Sequence, residues 1–344
     1  MGRTKTAGYE IRAYRPGDGP QVLDLLQTTF ETWPLGIEGQ APAEFFRWKH
    51  MESPFGRSIL MVAEADDVVV GFQGWLRWRL RAGGRTFQAV RGVDLAVAPE
   101  HRRRGIHTAF MSKAKEDFPE EAAFTFSNPN EQSRPGALKA GRHDLGAMPR
   151  FIRVRAPIRA GLRLIDEKRP GEARVTTPAT DAESAAAALE DGAGVSRLLA
   201  EAEEASDRFV TAKDLDYLRW RYGSLMAYRA IREEREGRLA GMAIFRVRRR
   251  SPLSASTVCE LLVEPGDLRT AHHLLQRAVQ AAPVDYLTCH VPSGSAARRA
   301  ALRCGFVRLP GGPTTTVQQL KDGILPDPTR RDSWALSLGD LDLL

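Results

Sequence analysis

The sequence predicts an α/β fold built twice along one chain: two domains, each a mixed twisted sheet with helices on both faces. Three observations predict it. The stretch Val93–Phe110 reads as a buried strand, a tight basic turn and the start of a helix. An ordered series of residues in the first half of the chain recurs in the second. The chain has 344 residues, 42% of them hydrophobic, which suffices for two ordinary domains and argues against wholesale disorder.

In the first half, Tyr9–Tyr14 reads as a strand, and Asp18 stands where the N-cap of the next helix is expected. Phe46-Arg47-Trp48-Lys49-His50 follows within a helical region. Ser58–Ala65 and Val68–Leu80 read as strands joined by the charged turn Asp66-Asp67. A further strand ends at Val97-Ala98-Pro99, and a late helix covers Ser133–Gly141.

The second half repeats this order. Arg174–Thr177 is its first strand and Asp181 the matching N-cap position, and Gly192-Ala193-Gly194 breaks its helical region. Leu218-Arg219-Trp220-Arg221-Tyr222 echoes the first tryptophan motif. Tyr228–Glu233 and Arg238–Val247 flank the turn Arg235-Glu236-Gly237. Gly71 matches Gly241, Val97-Ala98-Pro99 matches Val263-Glu264-Pro265, and Ser133–Gly141 matches Ala297–Gly305. The spacing drifts from 172 residues at the tryptophans to 164 at the late glycines, as two copies with small insertions would give. The join falls near Gly161–Glu172. The expected division is residues 1–160, residues 170–324 and a tail, 325–344.

The basic turn carries the chemistry. Arg102, Arg103, Arg104 and Gly105 stand where the helix begins. Free N–H groups at a helix start, with the helix dipole, attract anions, and arginines add forked donors suited to phosphate. A net charge of +7 agrees with anionic partners, though a solvated arginine-rich surface would give the same balance. The three cysteines lack metal-ligand spacing and imply no disulfide framework. The start lacks an apolar signal segment and no run would span a membrane, so a cytoplasmic protein is expected. Met1-Gly2 with Thr6 matches a myristoylation pattern only formally.

These residues resemble the GNAT superfamily of acyl-CoA-dependent N-acetyltransferases, whose signature is a strand ending in V-x-P and then [Q/R]-x-x-G-x-[G/A] opening a helix. Val97-Ala98-Pro99 and Arg102–Ile106 match; His107 departs from the final Gly/Ala. A second element, an Asn followed by a helix ending K-x-G-F, fits Asn130, Ser133, Lys139 and Gly141, with Arg142 in place of Phe. As a tandem pair with one loaded site, the layout is similar to mycothiol-synthase-like and Eis-like proteins. The resemblance implies that backbone groups of Leu95, Ala96 and Val97 bond a pantetheine arm. It implies that the N–H groups of Arg103, Arg104, Gly105, Ile106, His107 and Thr108 hold a pyrophosphate. Side chains of Arg102, Arg103 and Arg104 would reach phosphates, and Asn130 and Ser133 the pantetheine. The second copy has Gly266-Asp267-Leu268-Arg269-Thr270-Ala271 instead, and is not expected to bind CoA.

Acyl transfer to an amine requires a neutral nucleophile, a donor to the thioester oxygen and good positioning. Asp94 is the one carboxylate on its strand near the thioester expected from the resemblance, and a bulge would re-aim it; the alternative is that it bonds a nearby backbone group or an arginine. Family members often carry a glutamate one residue earlier, where Val93 stands, and Ala137 stands in place of the usual tyrosine. Trp48 and Trp220 read as core or interface, while Trp75 and Trp78 would line a cleft or pack the sheet. Arg246–Arg250 reads as a solvated strand edge. The tail would fold back to offer Asp340, Asp342 or the Leu344 carboxylate.

The expected function is transfer of an acyl group from acetyl-CoA, or a related acyl-CoA, to a primary amine of a small metabolite such as an amino sugar or aminoglycoside-like compound, without a metal. No nucleic-acid or membrane partner is expected, and the oligomeric state is left open. The alternatives are a non-catalytic CoA-binding sensor and an O- or longer-chain acyltransferase.

Overall fold

Apolar alternation in the first half builds a chain of hairpins, and the computed structural model shows where they go. It describes residues 4–6, 8–30, 33–34, 40–158, 160–161, 173–176, 182–204, 206–223, 225, 227–250 and 253–341. The first half holds β1 (Thr4–Thr6), β2 (Tyr9–Ala13), α1 (Gly19–Thr29), α2 (Pro42–Met51), β3 (Ile59–Ala65), β4 (Val68–Ala82) and β5 (Arg85–Val97). Then come α3 (Ile106–Asp117), β6 (Phe124–Ser127), α4 (Arg134–Lys139) and β7 (His143–Ala147). The β3–β4 turn needs two left-handed residues, and Asp66 and Asp67 adopt φ of 49° and 63°.

The first half ends on β8 (Arg150–Val154), and the second holds β9 (Ala173–Thr176), β10 (Glu183–Ser184), α5 (Ala185–Ala188), α6 (Gly192–Glu204), β11 (Val210–Thr211) and α7 (Leu215–Tyr222). These are followed by β12 (Arg229–Arg235), β13 (Arg238–Arg250), β14 (Leu253–Val263), α8 (Leu268–Ala281), β15 (Tyr286–Cys289) and α9 (Ala296–Arg303). Last are β16 (Val307–Leu309), β17 (Thr314–Gln319) and α10 (Leu338–Leu341).

Two units result, and each is assembled from distant parts of the chain. The first comprises Met1–Pro34, Ala41–Ala147 and Pro313–Ser333; the second comprises Leu35–Gln40, Met148–Gly312 and Trp334–Leu344. The first sheet runs β1-β2-β3-β4-β5-β6-β17-β7, and the second β10-β12-β13-β14-β15-β8-β16. The expected split at 160–170 and at 325 is therefore corrected. Strand β17, from the end of the chain, sits between β6 and β7, and β8, from the first half, sits between β15 and β16.

Each sheet opens at one place. β5 and β6 are parallel, joined across α3, and their pairing ends at Gly92 and Ser127 while β5 runs on to Val97. β14 and β15 repeat this: pairing ends at Val258 and Cys289 while β14 runs on to Val263. The crossover helix presses on a glycine in both. A Cβ at Gly71 would meet Ile106 at 3.0 Å, and one at Gly241 would meet Thr270 at 2.8 Å and Leu274 at 3.0 Å. The glycines match because each seats the start of a helix against its sheet.

The cores are ordinary in chemistry. Trp75, Trp78, Phe45, Phe72 and Phe110 are sealed in the first unit; Phe245, Leu274, Leu275 and Leu287 lie in the second core. At about 25 cal/mol per Å2, each large side chain contributes roughly 2–3 kcal/mol. Trp48 and Trp220 are also buried, as core residues.

Several local expectations are corrected. Asp18 precedes α1, but its carboxylate accepts from Arg12 at 2.8 and 2.9 Å instead of capping the helix. β9, the first strand of the second copy, pairs with β13 over Val247–Arg250, which β12 leaves open. That pairing removes the solvated edge expected at Arg246–Arg250, and Arg246 itself is buried against Tyr228. Asp340 turns into the second unit's interior, 3.2 Å from Lys213. Asp181, Asp342, Leu344, Met1, Gly2 and most of the join at 161–172 lie outside the described residues. No helix among the described residues is long and apolar enough to cross a membrane.

Candidate active site

The end of β5 feeds a cradle of donors. Ala98 N–H donates to Val70 O at 2.9 Å. Alternation then turns Ala96, paired with Phe72, toward β4, and turns Val97 toward the opening beside β6. Ala96 is thus a correction, since its backbone is committed to the sheet; Val97 keeps its N–H for the opening. After the turn Pro99–His101, Arg103 and Gly105 adopt φ of 63° and 84°, and α3 starts at Ile106. The first helical bond runs from Ala109 N–H to Gly105 O. Consequently the N–H groups of Arg103, Arg104, Gly105, Ile106, His107 and Thr108 have no acceptor among the described residues.

The arginines stand around this cradle, exposed. Arg102 Nε donates to Val97 O at 3.2 Å. Arg103 and Arg104 have no carboxylate partner among the described residues. The second unit differs at the same place. Asp267 caps α8, accepting from Thr270 N–H at 2.9 Å and Thr270 Oγ1–H at 2.6 Å, and it pairs with Arg235 at 3.2 Å. One helix start is open and cationic; the other is closed by a carboxylate.

His107 does not crowd the turn. Its ring lies against Gly136 of α4, where a Cβ would come within 2.7 Å of Nδ1. Burial and then Arg142 hold its pKa below the ordinary histidine value. A Gly→Ala change inside a helix normally stabilises by roughly 1 kcal/mol. Here Gly136→Ala is expected to cost about 1–3 kcal/mol through overpacking. Adding His107→Ala should return the loss, and thermal unfolding of the three variants measures both steps.

Asn130 and Ser133 serve the start of α4. Asn130 Oδ1 accepts from Ser133 N–H and Oγ–H, both at 2.9 Å, and from Gln132 N–H at 3.1 Å. Their oxygens are committed to the turn, which leaves the Asn130 amide N–H groups for a ligand. Arg142, in the expected Phe position, is buried and donates to Thr125 Oγ1, Thr316 Oγ1 and Thr316 O at 2.7–3.1 Å. Burial pushes it down to about 10.

Asp94 sits on a bulge. Phe72 faces Ala96 and Gly74 faces Val93, so Asp94 and Leu95 together oppose Gln73, and Asp94 takes φ 54°. Gln73 Nε2 donates to Val93 O at 2.7 Å and to Gly74 O at 2.9 Å, fixing the distortion. The re-aimed carboxylate meets α2: Lys49 Nζ donates to Oδ1 at 2.8 Å, and His50 Nε2 lies 3.0 Å from Oδ2. His50 Nδ1 is 3.1 Å from Ser58 Oγ. The Lys49 and His50 side chains are 1% and 0% exposed, whereas Asp94 is 9% exposed and alone of the three reaches solvent.

The charges follow from this packing. Burial pushes Asp94 up, but Lys49 and then His50 outweigh it and hold the carboxyl well below the usual range. Burial holds His50 below its ordinary value against the pull of Asp94, so the ring is neutral. A carboxylate only accepts, so Nε2 carries the proton, and Nδ1 accepts from the Ser58 hydroxyl. The arrangement is an ionised acceptor held by two buried donors.

Lys49, His50 and Ser58 were not singled out from the sequence as functional. The signal was the repeated motif itself, because the second unit rebuilds the contact with matched residues. Tyr222, at the His50 position, donates its hydroxyl to Glu260 Oε1 at 2.7 Å, and Glu260 lies at the Asp94 position of the repeat. Lys213 Nζ reaches both Glu260 oxygens at 2.7–2.8 Å. Trp75 and Trp78 belong to the core, stacked edge-on with Phe118 and with Phe55 and Phe126. Ala137 is buried and offers no acid.

Comparisons with known proteins bear on the first unit and on the fold. Residues 10–129 match the family model for an acetyltransferase (GNAT) domain. No curated protein matches the sequence. Among solved structures, a GCN5-related N-acetyltransferase from Anabaena variabilis is similar over 91% of this chain and 73% of its own, with 11% identity and a TM-score of 0.62. A probable N-acyltransferase of unknown function from Enterococcus faecalis covers 91% and 72%, with 12% identity and a TM-score of 0.61. Eis1 from Mycobacterium abscessus covers 91% and 73%, with 13% identity and a TM-score of 0.53. At these identities the likeness establishes the fold.

Proposed function

With residues 10–129 matching an acetyltransferase (GNAT) domain, we propose that the chain is an acyl-CoA-dependent N-acyltransferase. It moves an acetyl or related acyl group to a primary amine of a small metabolite, such as an amino sugar or aminoglycoside-like compound, by direct attack. The observation that carries this reading is the run of six N–H groups from Arg103 to Thr108 with no acceptor among the described residues, set beside Arg103 and Arg104, which have no carboxylate partner among them. Such a cradle suits a pyrophosphate. CoA, when bound, supplies the activated thioester.

The chain's own residues do the rest. Arg102, Arg103, Arg104, Gly105, Ile106, His107 and Thr108 bind the phosphates through backbone and side chains. Leu95 and Val97 present backbone groups to the opening beside β6, and the Val97 N–H is the donor for an oxygen that gains charge during attack. Asp94, ionised and oriented by Lys49 and His50, accepts a hydrogen bond from the incoming neutral amine and orients it, and the proton the amine sheds on attack leaves with the departing thiolate as the free thiol.

The test is acetyl-CoA titration joined to a free-thiol release assay over a panel of amines. Arg103→Glu/Arg104→Glu is expected to weaken acetyl-CoA by about 100-fold or more, since each charge-assisted contact contributes roughly 1.5–3 kcal/mol. Unchanged affinity would overturn the cradle. Tight binding with no turnover on any amine would favour a sensor.

A further inference from the structure

The second unit has lost the phosphate cradle but not the opening in its sheet. A cavity of about 450 Å3 fills that opening, a size that takes a small ligand. One wall is β14 from Val258 to Val263 and the other is Cys289–Pro292. Past Val258, β14 has no strand partner on its β15 side among the described residues. Its amide edge is thus open to a ligand chain, as in strand addition. Leu199, Leu261, Leu275 and Leu336 make the lining aliphatic.

The charges on the lining select further. Lys213 is consumed: it contacts Glu260 at 2.7–2.8 Å, Asp340 at 3.2 Å and Ser337 Oγ at 3.2 Å. Arg208 is different, since it lines the cavity without a carboxylate partner among the described residues. The start of α8, where a phosphate would sit, is closed by Asp267.

We infer that the second unit binds an amide-bearing aliphatic chain ending in one carboxylate, an N-acyl amino acid or short N-acyl peptide. The amides lie on the open edge of β14, the aliphatic groups fill the cavity, and the carboxylate pairs with Arg208. Nothing in this requires the first unit to be active.

The test is calorimetric titration of the full chain with N-acetyl-leucyl-leucine and with its C-terminal carboxamide. The acid should bind at least 10-fold more tightly, and Arg208→Gln should abolish that difference while leaving carboxamide binding unchanged. Ala202→Trp, at an exposed lining position on α6, should weaken both ligands at least 10-fold. A thermal transition at the parent temperature shows that each variant is folded, and if Ala202→Trp fails there, the Arg208→Gln comparison decides alone. No binding at millimolar ligand, equal binding of acid and carboxamide, or an Arg208→Gln variant that keeps the preference would overturn the inference.

Discussion

Expressed alone, residues 1–160 are expected to show no cooperative unfolding transition. The piece lacks β17, and among the described residues β7 pairs with no other strand. Without β17, Asn128 loses the acceptors Thr314 O and Thr315 Oγ1, and Arg142 loses both bonds to Thr316. Arg142 would then be a cation with one partner, Thr125, at an opened sheet edge. The burial of Val317, Thr315 and Thr316 is lost as well. A domain's whole stability is about 5–15 kcal/mol, and losing an inner strand consumes it.

The converse piece, 161–344, lacks β8 and leaves β15 and β16 without the strand between them. Co-expression of the two pieces should restore both sheets, because each piece carries the strand the other needs. A chimera joining residues 1–147 through a flexible linker to 313–333 should fold alone. Far-UV circular dichroism and denaturant titration read out all four samples. A cooperative transition in 1–160 by itself would show that β17 is dispensable.

The scaffold was legible in the sequence wherever a local rule governs it. The match of Gly71 to Gly241 holds because each glycine lies beneath the first turn of a helix. The basic turn was legible because left-handed residues and a helix start are written in neighbouring positions. The exchange of β8 and β17 was not legible. Strand alternation specifies which face a residue takes, not which sheet receives the strand. Arg150–Val154 and Thr314–Gln319 each look like a late strand of their own copy.

The site was half legible for a related reason. A bulge at Asp94 was one of two readings open in the sequence, but what the carboxylate meets depends on α2, 44 and 45 positions earlier. The motif containing Lys49 and His50 was visible, and its tryptophan correctly signalled burial. A buried lysine beside a buried histidine needs a carboxylate partner, but that both are buried is seen only in the fold.

The carboxylate is where loss of turnover and loss of stability are expected together. Asp94→Asn should lower kcat by about 10- to 100-fold, the range for a lost charge-assisted hydrogen bond to the amine. It should also destabilise the fold by about 3–5 kcal/mol, because Lys49 is left buried without its counter-charge. The two effects need separating, since an unfolded enzyme is also inactive. Asp94's carboxyl is held below its ordinary value in the fold. Its stabilisation is therefore present above the unfolded value of about 3.9 and is lost as pH falls through the lower folded value. Acid unfolding of the parent should show that loss below the ordinary carboxylate range, and the variant should not. Adding Lys49→Met removes the orphaned charge, so Asp94→Asn/Lys49→Met should regain most of the stability at neutral pH. If turnover returns with stability, Asp94 only held α2 in place; if stability returns and turnover does not, the carboxylate acts on the amine.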